Sequence, residues 1–243
     1  MYSSEFCKVY NIFGWNYYPE AFGEQLLLWL NENGIHPKSS MDLACGTGIL
    51  CGILQEQGID ASGMDFSEGM IEIARTNYPG LTFDVADMIQ YRPDKQYDLV
   101  TCTGDALNHI HDLKNVRRIF ENVYAYLSDS GLFVFDILNE NEVSEDEPFD
   151  LDFSETVRAQ FQMKKSADGM VTLSVRVYEN GDFQFQEDIR EQIHDPAIIC
   201  QLLSDCGFSV IKCSNKLPDS GDYRSTTNYI IAKKQAELLA CFL

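Results

Sequence analysis

Apolar and polar positions change period along this chain of 243 residues, and the changes mark its parts. Between Phe22 and Asn33 apolar side chains return at helical spacing, with Phe22, Leu26, Trp29 and Leu30 on one stripe. Gly34 ends the run and Pro37 follows. Short apolar segments then alternate with amphipathic ones. The pattern predicts strands at 40–45, 60–65, 81–86, 97–103 and 131–137, and helices at 49–58, 67–77 and 112–128. The last of these carries Leu113, Val116, Phe120, Val123 and Leu127 three or four apart, the spacing of a helix laid on a sheet. Strands alternating with helices in this way predict an α/β protein with a doubly wound parallel sheet.

After Asp136 the pattern shifts. Residues 139–152 are rich in Asp and Glu and read as loop. Phe153 to Met163 then alternates with period two, as do the runs through Val171, Leu173, Val175 and Val177 and through Phe183, Phe185, Ile189 and Ile193. Asp168-Gly169 and Asn180-Gly181 separate these runs, and Asn-Gly between alternating segments is a strong hairpin signal. The expectation is a three-stranded antiparallel meander with one apolar face, carried on an insertion at 139–194 between core segments 1–138 and 195–243. A meander cannot bury its apolar face alone. Inserted after the fifth strand, it is expected either to roof the ligand edge of the main sheet as a lid or to form a homodimer surface. Glu187 and Glu191 share the parity of its apolar residues, and a place at a wet edge is expected for them. The core resumes with a helix that has Asp195 as N-cap, Pro196 at its first position and Gly207 just past its end. Phe208 to Cys213 and Thr227 to Lys233 follow as an antiparallel hairpin closing the sheet.

Charge narrows the partners. A formal net charge of −20 argues against nucleic acid, whose phosphates need Lys and Arg, and against an anionic membrane surface. It suits a small neutral or cationic acceptor. The eight cysteines show no C-x-x-C pair, and the four histidines do not stand at metal-ligand spacing with them. Neither a disulfide framework nor a metal is expected. With no signal-like opening and no apolar run of membrane-spanning length, a cytoplasmic setting is the simple reading.

The chemistry starts at Asp42-Leu43-Ala44-Cys45-Gly46-Thr47-Gly48, a strand running into a tight glycine turn with a helix behind it. Glycine lets the backbone turn sharply and lets a ligand approach. The next strand, Ile59 to Asp65, ends in a carboxylate 17 residues after Gly48, where doubly wound folds put an acid on ribose hydroxyls. A dinucleotide fingerprint needs a third glycine where Cys51 stands, and a P-loop needs Gly-Lys-Ser/Thr where Gly48 is followed by Ile49 and Leu50. No Lys or Arg lies near the turn to meet a phosphate. A nucleoside-containing ligand without phosphate is expected.

D-L-A-C-G-T-G resembles the first motif of class I S-adenosylmethionine-dependent methyltransferases, and the element order resembles that family over nearly the whole chain. The likeness is nearest to the small-molecule branch with the glycine and amino-sugar N-methyltransferases. It implies a seven-stranded Rossmann-like sheet with its last strand antiparallel, a β lid after strand five, and S-adenosylmethionine as cofactor. It implies that Ala44, Gly46 and Gly48 line the methionine part, that Asp65 binds the ribose, and that Phe66 and Met70 flank the adenine. Asp87 would accept the adenine amine with Met88 beside it, and Thr103 and Gly104 would lie next to the sulfonium. The aromatic opening Tyr10 to Tyr18 resembles the family's capping segment, with Tyr10 and Trp15 over the cofactor or stapling a loop to the core.

In-line methyl transfer asks the protein mainly to align acceptor and methyl group and exclude water. His109, after strand four, is the candidate base, with neighbouring carboxylates expected to favour its charged form. His111, beside Asp112, reads as serving a helix terminus. A small-molecule acceptor is expected, with N-methylation favoured over O-methylation. A non-catalytic cofactor-binding or regulatory protein and an oxidoreductase on a degenerate dinucleotide fold are the alternatives.

Overall fold

In the computed structural model, which describes residues 2–138, 147–214 and 227–235, two sheets share the chain. The main sheet contains β1 (Ser39–Leu43), β2 (Asp60–Asp65), β3 (Thr82–Val85), β4 (Tyr97–Cys102), β5 (Leu127–Leu138), β10 (Phe208–Ser214) and β11 (Thr227–Lys234). Their order is β10-β11-β5-β4-β1-β2-β3. The first five are parallel to one another, and β11 runs antiparallel to both β5 and β10. The order reverses at β1, with β2 on one side and β4 on the other, so the ligand crevice of such a sheet falls at its carboxyl end.

Helices cover both faces. α2 (Tyr17–Glu32), α3 (Ile49–Glu56) and α4 (Glu68–Asn77) pack through Phe22, Leu26, Leu50 and Ile71 on one side. On the other, α5 (Leu113–Tyr126) and α6 (Pro196–Asp205) contribute Val116, Phe120, Val123, Ile199 and Leu203. Covered on both faces, β5 is buried from Gly131 to Leu138 and reads as a continuous apolar run. α5 stops at Tyr126 and β5 begins at once, four residues before the expected start; Ser130, at φ 70°, precedes Gly131.

The inserted sheet has four strands instead of three: β6 (Phe149–Asp152), β7 (Val157–Lys165), β8 (Met170–Glu179) and β9 (Asp182–Gln192), each antiparallel to the next. β6 lies within the stretch expected to be loop. It is an edge strand tied by Asp152 Oδ1 to Arg158 Nε at 2.7 Å. The run expected to start at Phe153 begins as strand at Val157, because Ser154 Oγ accepts from the N–H groups of Thr156 and Val157 and makes a turn there. Asn180 and Gly181 both take positive φ, the conformation their hairpin needs. The acidic residues 139–146 and the tail 236–243 lie outside the described residues.

One further helix escapes sequence periodicity. α1 (Ser4–Val9) is capped by Ser3, whose Oγ accepts from Phe6 N–H at 3.2 Å. Phe6 and Phe13 pack against Ala159, Phe161, Val175, Val177 and Ile189. The chain's own aromatic opening therefore covers the apolar face that a second copy was an alternative to cover. Among the described residues no helix is long and apolar enough to cross a membrane.

Gly48 sits at φ 82°, and a Cβ there would stand 2.9 Å from Phe83 Cζ and 3.1 Å from Ala74 Cβ. Gly34 has φ +65° with open space around it. Gly48→Ala is expected to cost about 2–4 kcal/mol, combining backbone strain and overpacking, and Gly34→Ala about 1 kcal/mol. Thermal unfolding checks this; equal losses would contradict the packing role of Gly48.

Candidate active site

The turn after β1 is shaped by left-handed backbone at Ala44 (φ 55°), Gly46 (φ 52°) and Gly48. Asp65, at the end of the neighbouring β2, holds it: Gly46 N–H donates to Oδ2 at 3.0 Å and Ser67 N–H to Oδ1 at 2.8 Å. Burial pushes the Asp65 carboxyl above its usual range, and these N–H groups oppose that shift. A carboxylate accepts about four hydrogen bonds, so room remains for two hydroxyls. A Cβ at Gly46 would meet nothing within 4 Å, which leaves the turn open to a ligand.

Above this edge lies a cavity of about 350 Å³. Ala44, Gly46, Asp65, Phe66 and Met70 line one end. Phe66 is 55% exposed at the rim, an unpaired aromatic face, and Met70 is fully buried behind it. Asp87 and Met88 line the cavity too; Asp87 accepts from Ile89 N–H at 2.9 Å and Gln90 Nε2 at 3.3 Å. Thr103, Gly104 and His109 line it on the β4 side, and Tyr10 closes it from the aromatic opening. Two expected residues lie outside the lining. Gly48 faces Phe83 and Ala74 behind the turn, and Trp15 packs edge-on to Tyr10 at 5.3 Å in a second aromatic layer.

The cavity also recruits residues that the sequence reading passed over: Tyr2, Tyr18 and Asp42. Asp42 opens the glycine motif but is buried, accepting from Thr101 Oγ1 at 2.6 Å, and burial pushes its carboxyl up to about 7. Tyr18, on α2, donates its hydroxyl to Asp136 at the end of β5. Asp136 also accepts from Gly104 N–H at 3.0 Å and Asp105 N–H at 2.8 Å. Burial moves Asp136 up to about 6 against these donors. Among the described residues no Lys or Arg lines the cavity to meet a phosphate.

His109 contradicts its expected electrostatics. Burial, the largest cause, pushes its pKa down to about 4, so the ring is neutral. Nδ1 stands 3.3 Å from the Arg190 carbonyl, which can only accept, so Nδ1 carries the proton and the lone pair is on Nε2. His111 Nε2 reaches the same carbonyl at 3.3 Å. The wet-edge expectation for the lid carboxylates also fails. Glu187 is buried and accepts from Ser3 N at 3.1 Å and Ser3 Oγ at 2.6 Å. Glu191 brings Oε1 to 3.7 Å from His109 Nε2, and burial pushes its carboxyl up to about 7. Both have polar groups facing them on the inward side: Ser3 of the N-terminal segment for Glu187 and His109 for Glu191. Among the described residues no group of His, Cys, Asp and Glu is placed to hold a metal ion.

Comparison with known proteins agrees with this geometry. Residues 41–131 match the model of a methyltransferase domain. A putative methyltransferase of Geobacillus sp. is 24% identical over 210 residues, covering 81% of this chain and 85% of that one. A glycine/sarcosine N-methyltransferase of Parasynechococcus marenigrum is 29% identical over 54% of this chain and 48% of its own length. In fold, an amino pentose methyltransferase from Micromonospora echinaspora, solved with S-adenosylmethionine bound, superposes with a TM-score of 0.75 at 15% identity, over 97% of this chain and 98% of that one. The chain carries a methyltransferase domain at residues 41–131 and has the fold of solved S-adenosylmethionine-dependent methyltransferases. The open turn, the acid on the second strand and, among the described residues, the lack of a cationic lining fit S-adenosylmethionine better than a dinucleotide.

Asp65→Ala is expected to weaken S-adenosylmethionine binding about tenfold or more, since hydrogen bonds to a charged acceptor are each worth about 1.5–3 kcal/mol. Calorimetry on the variant measures it, with NAD as a ligand expected not to bind. Unchanged affinity would remove Asp65 from the ribose site.

Proposed function

We propose that the cavity binds S-adenosylmethionine with its ribose on Asp65, its adenine between Phe66 and Met70 with Asp87 and Met88 at its edge, and its methionine part along Ala44 and Gly46. The methyl end then points to Thr103, Gly104 and His109, and the acceptor is a small molecule held beneath the inserted sheet. The observation that carries this is the single cavity joining the glycine turn, Asp65 and His109. The cofactor supplies a methyl group on a sulfonium whose leaving group is a neutral thioether.

The chain's own contribution is alignment, exclusion of water and proton handling. An amine acceptor is favoured over a hydroxyl, because the lining has carboxyl groups and no cation and because one relative methylates glycine and sarcosine nitrogen. His109 presents the Nε2 lone pair to the cavity with Nδ1–H fixed on the Arg190 carbonyl. A proton leaving the acceptor nitrogen goes to Nε2, and Glu191 at 3.7 Å compensates the imidazolium so formed. The segment 139–194 acts as the lid that governs acceptor choice. A cytoplasmic setting suits the cysteines, of which all seven in the described residues are free.

Incubating the protein with labelled S-adenosylmethionine and a panel of amines, phenols and thiols tests the reaction; label on an amine is the expected result. His109→Ala is expected to lower kcat about 10²-fold, the lower part of the general-base range because the ring is a weak base here, with cofactor affinity within about twofold. His111→Ala is the control and is expected to stay near wild type. Equal losses in the two variants would mean a folding effect and would remove His109 from the reaction.

A further inference from the structure

Five carboxyl groups gather around the cavity's β4 side and glycine turn, and three of them are already satisfied. Asp42 accepts from Thr101, Asp65 from two main-chain N–H groups, and Asp136 from two more and the Tyr18 hydroxyl. Asp105 and Glu191 differ. Neither carboxyl accepts a hydrogen bond among the described residues, and Asp105 Oδ1 is fully buried without a partner. A buried acceptor left unpaired costs about 1–3 kcal/mol, so the Asp105 oxygen beside a ligand cavity needs a reason.

Their placement supplies one. Asp105 sits between Gly104 and Ala106, which both line the cavity, and it opens the short helix Ala106–His109. It holds φ 56° there, with its N–H fixed on Asp136. Glu191, on β9 of the inserted sheet, brings Oε1 to 3.7 Å from the Nε2 of His109, which does line the cavity. Burial, and after it charge on Asp136 and Glu191, push the Asp105 carboxyl well above its usual range. With Nδ1 committed to Arg190, His109 adds one lone pair to the same space. An alkylammonium has three N–H donors. Two free carboxyl groups and one imidazole nitrogen match that number.

We propose that Asp105 and Glu191 are the specificity residues of the acceptor site and that they recognise a primary ammonium group, His109 Nε2 taking the third N–H. The acceptor is accordingly a cationic amine and not a neutral alcohol, a phenol or an anionic amino acid lacking a free cationic end. This rests on the reading of the cavity as a methyl-transfer site. The step that follows balances: the N–H bond to His109 breaks with its electron pair left on nitrogen, and the proton is held on Nε2. That electron pair forms the new N–C bond while the S–C bond breaks onto sulfur. The overall charge of the lining makes a neutral amine reagent unnecessary, since the ammonium is the form that the two carboxylates concentrate.

The test uses the full chain loaded with S-adenosylhomocysteine, with primary alkyl- and arylammonium ions and their isosteric alcohols as calorimetric probes. At least one ammonium is expected to bind about tenfold or more tightly than its alcohol, as hydrogen bonds between charged groups imply. That preference is expected to shrink to about twofold or less in Asp105→Asn and in Glu191→Gln, while S-adenosylhomocysteine affinity stays within about twofold. Asparagine tolerates the positive φ at position 105, so the first variant keeps the backbone. Alcohols binding as well as ammonium ions, no ammonium binding at all, or a preference that survives both variants would overturn the assignment. A selective loss of S-adenosylmethionine over S-adenosylhomocysteine affinity would give the carboxyls to the cofactor's sulfonium and overturn it equally. Failure of the wild-type chain to bind S-adenosylhomocysteine is a separate result, and it would strike the underlying reading of the cavity.

Discussion

Asp136 is fully buried at the end of β5, where an isolated carboxylate would cost several kcal/mol. Three donors offset that cost: the N–H groups of Gly104 and Asp105 and the hydroxyl of Tyr18. They come from two parts of the chain, the loop after β4 and α2. Gly104 (φ 74°) and Asp105 (φ 56°) form the loop after β4, and holding both in left-handed backbone needs an anchor of this strength. Tyr18 brings α2, and with it the aromatic opening, onto the carboxyl edge of the sheet. The shape of the loop after β4 and the position of Asp105 at the start of the helix Ala106–His109 both follow from where this one carboxylate sits.

The second wall depends on the first. Ser3 and Glu187 join α1 to the inserted sheet, while Phe6 and Phe13 fill that sheet's apolar face. Tyr2 and Tyr10 project from the same segment into the cavity. Lid and aromatic opening are thus one packed unit over the site, so movement of either for ligand entry must disturb the other. Cys7 Sγ, 3.4 Å from Ser67 Oγ, ties this unit back to the residue that follows Phe66 at the cavity rim. The inserted sheet and the turn after β2 are coupled through packing that lies between them.

Much of the main sheet was legible in the sequence because both of its faces are covered, and such strands announce themselves as apolar runs such as Phe133 to Ile137. The glycine turn and Asp65 were legible for a different reason: their spacing is set by the ligand they are read as serving. What the sequence hid is mostly short or long-range. α1 spans six residues, too few to establish a period, and β6 is a four-residue edge strand whose Phe-Asp-Leu-Asp alternation is masked by surrounding acids. Tyr18 and Asp136 are 118 positions apart, so no local pattern joins them. The sign of the His109 shift was missed because nearby carboxylates are visible in a sequence whereas the depth of burial, which outweighs them here, is not. Glu187 and Glu191 fooled the parity argument in the same way: alternation placed them on the inward face, and only the structure supplies the polar partners that make that face habitable.

If Asp136 organises the site through its charge, Asp136→Asn should keep the fold and lose the function. The substitution preserves size and one acceptor oxygen but turns an amide N–H₂ toward donors. Calorimetric S-adenosylmethionine affinity of the folded variant is the most direct measurement, read beside its thermal unfolding. The expected result is a cooperative transition at lower temperature together with an affinity loss of about tenfold or more, the scale of one charge-assisted hydrogen bond. A folded Asp136→Asn protein that binds S-adenosylmethionine as tightly as the wild type would contradict the account.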